Sequence, residues 1–359
     1  MAKSIFDLVT AQALASYYET LESNRIPFLG EALFPADKKM GLKLEWIKGY
    51  DNLPVALMPS AFDTKPTLRD RGGVSQESTK MPFFREAMRL GEEDRQQLLM
   101  FMEANNTAYA RQLITRIYDD TKTLIDGAVL IPEIMRMKLM TTGAFTIATP
   151  ADSGNYVSYD YNYDPSSVWA NRNNTTLLTT SRWSDHTNSN PVADIIEVKR
   201  DAARRGITLS RAICGYDTWL DIMQNAKIKL AINPLASAAA NVILTDDQVK
   251  TFLENQTKMR IQIYDKMYKD QAGADQYFYP NSGYFTMLPE GQLGKTWYGT
   301  TPEEADLMAG NTLAQVSVVN TGIAVSTEKI ALPVNIINWV SEIVLPSFEY
   351  MDKVFNIIY

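Results

Sequence analysis

From Glu92 onward, Leu98, Met102, Tyr109, Leu113, Ile117, Leu124, Ala128 and Ile131 recur at steps of three, four or seven, while Glu93, Arg95, Glu103, Arg111, Arg116, Asp119 and Lys122 fall largely between them. That spacing keeps the apolar residues on one face of an α-helix. Gly91 precedes the run, the acidic Glu92, Glu93 and Asp94 suit the positive end of a helix dipole, and Pro132 is expected to end or kink the helix. At 1.5 Å per residue, Glu93 to Ile131 would span roughly 60 Å, longer than the core of most single domains needs. The role this implies is architectural: a spine fixes the distance between parts that touch different neighbours.

The segment in front of the spine has the opposite texture. Pro27, Pro35, Pro54, Pro59, Pro66 and Pro82, with Gly30, Gly41, Gly49, Gly72 and Gly73, exclude helix over most of it. Leu42, Leu44 and Trp46 alternate with Lys43, Glu45 and Ile47, Val55 to Met58 forms a second short run, and Gly49 to Asn52 lies between them as turn material, which predicts a β-hairpin. So long an irregular stretch makes a poor core of its own and is expected to be an arm that packs on neighbouring molecules. Near its end, Arg69-Asp70-Arg71-Gly72-Gly73 reads either as a solvated turn or as a clamp whose two arginines grip acidic groups of a neighbour. Ahead of the arm, Met1 to Tyr18 reads as a short amphipathic helix, without the apolar run and cleavage site of a signal peptide.

Beyond the spine the pattern is mixed. Tyr156 to Asp164 reads as a strand, Ala170 to Asn190 as an Asn- and Thr-rich loop, Val192 to Arg205 as a helix, Ile207 to Cys214 as a strand and Asp217 to about Lys229 as a helix. Ile261 to Tyr264, Gln276 to Tyr279 and Gly283 to Leu288 suggest an antiparallel sheet with turns at Gly273 and Pro280-Asn281. Val316 to Val325 and Ile330 to Ile337 are further strand candidates, and Tyr350 to Tyr359 reads as a strand rather than a tail. No internal repeat of solenoid period is present.

Composition narrows the function. With 359 residues, 45% of them hydrophobic, the chain can bury one substantial core or a few modest ones. A formal charge of −7 gives no overall attraction to phosphate backbones, although an acidic inner wall could still enclose DNA without adhering to it. The lone Cys214 cannot form an intrachain disulfide. No apolar stretch approaches the roughly 20 residues that cross a bilayer; Ile330 to Leu345, the most apolar C-terminal part, is broken by Pro333, Asn335, Asn338 and Glu342. The expectation is a protein made in the cytosol.

Chemical sites are hard to assemble from this sequence. One histidine, His186, in a polar loop, and one cysteine leave a nucleophilic pair without recognisable context and a zinc site short of ligands. Pro289-Glu290-Gly291-Gln292-Leu293-Gly294-Lys295-Thr296 nearly spells a P-loop, but Pro289 replaces the first glycine and Trp297 to Pro302 fails to make the helix that should hold the phosphate. Asp119-Asp120, Asp246-Asp247 and Glu303-Glu304 read as solvated faces or helix N-termini, with Thr245 to Asp247 as a cap. The basic run Lys199 to Arg205 reads as a solvated helix end.

The order of parts (amino-terminal helix, Pro/Gly-rich hairpin loop, spine, mixed α/β) resembles the major capsid protein E family of lambda-like tailed phages, which share the Hong Kong ninety-seven capsid fold. Its local matches are Phe34-Pro35 leading into a strand, Arg71-Gly72-Gly73 followed by Val74, Ser75 and the polar Gln76 to Thr79, and Lys295-Thr296-Trp297-Tyr298-Gly299 followed by acidic Glu303 to Asp306. The resemblance implies an α+β capsid fold. Its parts would be an N-terminal arm (1–26), an extended loop (27–91), a peripheral domain with the spine (92–190), an axial domain (191–295), a return segment (296–345) and a C-terminal strand (346–359). It further implies hexamers and pentamers of an icosahedral shell enclosing double-stranded DNA, with portal, scaffold and maturation protease as partners and a decoration protein in some members. Trp46, Arg69, Arg71, Gly72 and Gly73 are the expected inter-subunit contacts, and Gly91 and Pro132 the expected hinges. No catalytic residue, cofactor or metal is expected. Another ring- or tube-forming phage structural protein and an enzyme of unrecognised type are the rival readings.

Overall fold

In the computed structural model the described residues are 10–20, 28–48, 75–93, 96, 100, 107–148, 158–234, 242–270, 272–310, 314–331 and 334–359. The chain opens with α1 (Ala11–Thr20), α2 (Leu29–Leu33), β1 (Ala36–Lys38), β2 (Lys43–Lys48), β3 (Ser75–Lys80), β4 (Phe83–Leu90) and α3 (Thr107–Thr142). There follow β5 (Ala144–Ala148), β6 (Ser158–Asn162), α4 (Val168–Asn173), β7 (Asn174–Thr176), α5 (Pro191–Arg204), β8 (Leu209–Cys214), α6 (Tyr216–Gln224), α7 (Ala226–Ile232) and α8 (Asp246–Thr257). The last part holds β9 (Arg260–Ile263), β10 (Met267–Lys269), β11 (Asp275–Tyr277), β12 (Tyr284–Pro289), β13 (Thr296–Tyr298), α9 (Pro302–Ala309), β14 (Gln315–Val319), β15 (Ile323–Ala331), β16 (Val334–Pro346) and β17 (Phe355–Ile358).

The spine helix forms, but Pro132 does not end it: α3 runs 36 residues, through the proline to Thr142. Proline removes one N–H and leaves the carbonyl four residues earlier without its donor, at a cost of about 3 kcal/mol. The stripe continues beyond it, with Met135, Met137, Leu139 and Met140 all fully buried. Each such side chain contributes roughly 1.5–3 kcal/mol, so burial outweighs the lost bond. At the other end, Glu92 and Glu93 are helical and α3 is continuous from Thr107.

The stop comes at Gly143, whose φ of +70° is the left-handed turn that ends helices. A Cβ there would sit 2.6 Å from Met351 Cε and 3.1 Å from the Trp169 ring, so Met351 would have to move, and the left-handed φ strains any larger residue. Two of the carbonyls orphaned at this helix end, those of Met140 and Thr141, accept from Asn356 Nδ2 on β17 at 3.1 and 3.3 Å.

Contacts divide the chain into two compact units: Met1–Glu45 with Ser78–Met135 and Gly294–Ser347, and Trp46–Glu77 with Arg136–Leu293 and Phe348–Tyr359. The first is built on a sheet of order β1-β13-β16-β15-β14, with β4 also paired along β16 from Phe83↔Ile343 to Leu90↔Ile336. Leu14, Ala15 and Tyr18 of α1 and Ile117, Leu124, Ile125 and Ala128 of α3 bury Val319, Ile323, Val325, Ile336 and Val340 on one face of it. Strand alternation sends Trp339 and Ser341 to the opposite face, where α9 lies.

The second unit has a five-stranded mixed sheet of order β7-β17-β12-β8-β9. Its core joins Trp183, Ile195, Val198, Cys214, Trp219, Leu253, Phe285 and Ile357. Gly215 stands at the N-terminus of α6 against the backbone of Pro280 and Asn281, where no Cβ fits. With no side chain at that cap, Asn281 Oδ1 supplies the acceptor, taking N–H bonds from Tyr216 at 2.9 Å and Asp217 at 3.3 Å.

Several expectations need correction. The partner of β2 is β3, and Val55 to Met58 lies outside the described residues. The stretch expected as a loop at Ala170 to Asn190 contains most of α4 and all of β7. The single helix expected from Asp217 is two, because Asn225 interrupts it and caps α7 by accepting from Lys227 N and Ile228 N. Val316 to Val325 is a hairpin of β14 and β15 rather than one strand, turning at Asn320 with φ +53°. The three strands expected as one antiparallel sheet separate. β9 joins β8 in parallel, β10 and β11 form their own hairpin turning at Gly273, and β12 lies between β8 and β17.

Asn356 is the buried polar centre of the second unit, since its Oδ1 also accepts from Thr286 Oγ1 at 2.7 Å. Asn356→Ala strands these groups and should lower stability by about 2 kcal/mol, read as a lower urea midpoint at unchanged slope. An unchanged midpoint would mean that water or a shifted neighbour replaces the side chain.

Candidate functional site

Two side-chain clusters stand out, one in each unit. In the second unit, Trp46 of β2 stacks on Tyr163 with ring centroids 5.1 Å apart and planes 27° from parallel. Beneath them, Phe145 lies 5.1 Å from Tyr161 and 6.4 Å from Tyr163. Antiparallel pairing of β5 with β6 sets Phe145 opposite Tyr161, and the two-residue period puts Tyr161 and Tyr163 on the same face. Burial pushes both phenols far above their ordinary range, so both are neutral and the cluster behaves as an apolar seat.

In the first unit β4 is fastened by a carboxylate. Thr301 Oγ1 caps α9 by accepting from Glu304 N, and Pro302 opens the helix. Glu303, in the first turn, is buried and accepts from Trp339 Nε1 at 3.1 Å, Ser341 Oγ at 2.8 Å and the guanidinium of Arg85 on β4. Arg85 in turn covers the ring of Phe83, 4.8 Å from its centroid. Burial pushes the Glu303 carboxyl up. Hydrogen bonds from its own backbone N–H, Ser341 and Trp339, with the Arg85 charge, outweigh burial and hold it below the usual carboxylate range. The Glu303-Glu304 pair is thus a helix N-terminus as expected, but Glu303 is no solvated face; nothing in the local pattern distinguished it from Glu304.

Of the residues singled out from the sequence, Trp46 is placed inside its own unit, 8% exposed. Arg69, Arg71, Gly72 and Gly73 lie outside the described residues. Gly91 is half-buried just after β4, and Pro132 is buried inside α3. In the basic run, Arg205 is consumed internally, donating to Asn173 Oδ1 at 2.8 Å and Arg172 O at 3.0 Å and lying 5.2 Å from the centroid of the Phe355 ring.

The remaining chemical candidates find structural employment. Cys214 is completely buried in the core of the second unit, and burial pushes its thiol up to about 12. His186 Nε2 lies 2.9 Å from Asp221 Oδ1, whose other oxygen accepts from Tyr359 Oη at 3.0 Å. In the P-loop-like stretch, Arg211 donates to the carbonyls of Pro289 and Gly291, so the turn presents oxygens to a cation where a phosphate cradle would present N–H groups. Thr296 then enters β13, a strand rather than a helix. Among the described residues, no group of His, Cys, Asp and Glu side chains is arranged to hold a metal ion, and no helix is long and apolar enough to cross a membrane.

The α+β fold, crossed by the 36-residue α3, is that of phage capsid subunits. A crystal structure assigned as the capsid protein of an Escherichia coli CFT073 prophage shares it with TM-score 0.57 and 15% identity, over 98% of this chain and 99% of that one. A phage-related protein of Bordetella bronchiseptica RB50 gives 0.52 and 13%, over 97% and 96%. No curated protein matches the sequence. Residues 10–323 match the phage major capsid protein E family. The chain belongs to that family and is a shell-forming capsid protein, a component of the virion.

Glu303→Gln should lower stability at pH 7 by about 1–3 kcal/mol. Because the folded carboxyl titrates below its unfolded value near 4.3, its contribution is full above that pH and is lost as pH falls through the folded value. The difference between parent and variant in urea titrations should therefore narrow below about pH 4. An equal gap at pH 3 and pH 7 would remove the charge from this account.

Proposed function

We propose that this capsid protein assembles as hexamers and pentamers of an icosahedral head that encloses double-stranded DNA, after synthesis in the host cytoplasm. The observation that supports the proposal is the pair β2 and β3, which bracket residues 49–74 and pair only with each other among the described residues, while Trp46 of β2 seats on Tyr163 and β4, which follows β3, is held by Glu303 through Arg85. A segment anchored so firmly at its roots is suited to reach a neighbour with its middle. In this reading Arg69, Arg71, Gly72 and Gly73 make the lateral contacts and Trp46 supports them from the root. Gly91 and Pro132 are the points where the subunit bends when the shell changes form. Residues 92–190, with the spine, serve as the peripheral domain and residues 191–295 as the axial domain.

The role is structural, with no catalysis, cofactor or metal. Self-association is the essential partnership; portal and scaffold complete the head, and a decoration protein is a further partner. A net charge of −7 suits a wall that encloses DNA without binding it. Assembly adds to the stability of the folded subunit by mass action.

Negative-stain images of the purified protein should show closed shells or hexameric patches. Stacked tubes would favour a tail component, and dispersed small particles a soluble protein. Replacing Gly72 and Gly73 by valine should abolish shells while leaving a soluble, folded subunit; shells of normal size and yield from that variant would count against the arm's role.

A further inference from the structure

β1 is too short to hold its place by pairing alone. It meets β13 in parallel at three positions, Ala36↔Thr296, Asp37↔Trp297 and Lys38↔Tyr298, and pairs with no other strand among the described residues. Parallel pairing is also slightly weaker per residue than antiparallel. What sets β1 apart is its charges. Asp37 accepts from Lys295 Nζ at 2.6 Å, and Lys38, next in the chain, is ion-paired with Glu304 in the first turn of α9. Hydrogen bonds from Lys295 and from the backbone N–H of Lys38 hold the Asp37 carboxyl below its usual range.

The ends of this stretch are fixed by other means. Upstream, Phe34 is fully buried and its carbonyl accepts from Thr296 Oγ1 at 2.9 Å. Downstream, Leu42 O accepts from Met81 N at 2.8 Å. Between these anchors the packing is slight: Ala36 and Lys38 are exposed, Met40 is 77% exposed, and Gly41, at φ +89°, has open space where a Cβ would stand. Apolar burial therefore contributes little to holding residues 35–41 down, and a chain tied at both ends with a glycine between can bow outward while its anchors stay in place. Lifting it would bare the outer edge of β13, and unpaired strand edges are what proteins keep covered.

We infer that residues 35–41 are a strap over the edge of β13, held down by the Asp37–Lys295 and Lys38–Glu304 ion pairs and released when those charges are screened. Lys38, Asp37 and Lys295 have side chains 34%, 41% and 45% exposed, so salt reaches them, while Glu304 at 12% is sheltered and keeps the strap closed at moderate ionic strength. Exposed ion pairs are individually weak. The distance over which charges act falls from about 8 Å at 0.15 M salt to about 3 Å at 1 M. β4 offers the contrast within the same unit, since it is held along eight paired positions and by the buried Glu303. Salt should lift β1 and leave β4 in place.

Hydrogen exchange on the full chain, followed by mass spectrometry in peptides covering 35–42 and 83–90, separates the two strands. Raising sodium chloride from about 0.05 M to about 1 M should speed exchange in the first peptide about three- to tenfold and leave the second unchanged. Asp37→Asn with Lys38→Gln, which removes both ion pairs without adding bulk, should exchange fast in the first peptide already at low salt and respond little to more. Exchange of 35–42 that ignores salt in the parent overturns the strap, as does a double variant that is as slow and as salt-sensitive as the parent. Acceleration of both peptides together overturns it as well, because the subunit would then be loosening as a whole. A variant that fails to fold shows itself by lost protection in 83–90, and the salt series on the parent chain then decides alone.

Discussion

A helix of 36 residues ends with four carbonyls that no residue of the helix can satisfy, and the way α3 meets that requirement organises the unit around its end. Gly143 turns the chain left-handed, its N–H returns to Leu139 O at 3.0 Å, and Asn356 closes the carbonyls of Met140 and Thr141. Asn356 can reach them because β17 runs between β7 and β12. The same side chain also takes the hydroxyl of Thr286 from β12 and donates to Asn174 Oδ1 on β7. One amide thereby joins the helix end to three strands distant in sequence. Its partners are themselves buried or half-buried, so losing it would strand the carbonyls of Met140 and Thr141 in a low-dielectric interior, while Thr286 would keep its bond to Tyr279 Oη at 2.8 Å.

In the other unit the comparable problem is to hold β4, which pairs with β16 alone among the described residues. β4 is attached along eight paired positions of β16, but the pairing alone leaves it open on its far edge. Glu303 adds a second attachment from above the sheet, binding α9 to β16 through Trp339 and Ser341 and to β4 through Arg85. A buried carboxylate is tolerable only with such a complement of donors. Its geometry is correspondingly specific, since a strand slipped by one residue would turn Ser341 to the other face and leave the carboxylate short of a partner.

The sequence made the periodic parts legible and hid the parts where distant polar groups meet. The part of the stripe from Ile117 to Ala128 foretold the spine, since Ile117, Leu124 and Ala128 are buried along it, and Thr245 to Asp247 foretold the cap of α8, which forms a full capping box. Pro132 misled because local backbone cost was weighed without the apolar residues Met135 to Met140 beyond it. The separation of β9, β10–β11 and β12 into different ladders is a matter of partners far along the chain, β8 and β17, which strand patterns cannot name. Among the candidate contacts, Trp46 was legible as an apolar residue of a strand, but its seat on Tyr163 depends on a hairpin more than a hundred residues later. Asn356 did leave a trace: a polar residue inside the run Val354 to Ile358 is out of pattern for a buried strand, and such exceptions mark hydrogen-bonded centres.

A subunit whose work is association has reason to use up its reactive groups at home. Cys214 is sunk in the core, His186 and Tyr359 share Asp221, and Arg211 and Arg205 are occupied by carbonyls and an amide of their own unit. The exposed surface of the second unit carries apolar side chains such as Val168, Leu178, Met267 and Tyr277 beside charged pairs such as Arg260–Glu290 and Lys269–Asp275. Single exposed apolar residues are ordinary. In a shell protein, affinity spread over many modest faces of this kind permits correct closure, because each contact alone is weak enough to be remade until all are satisfied together.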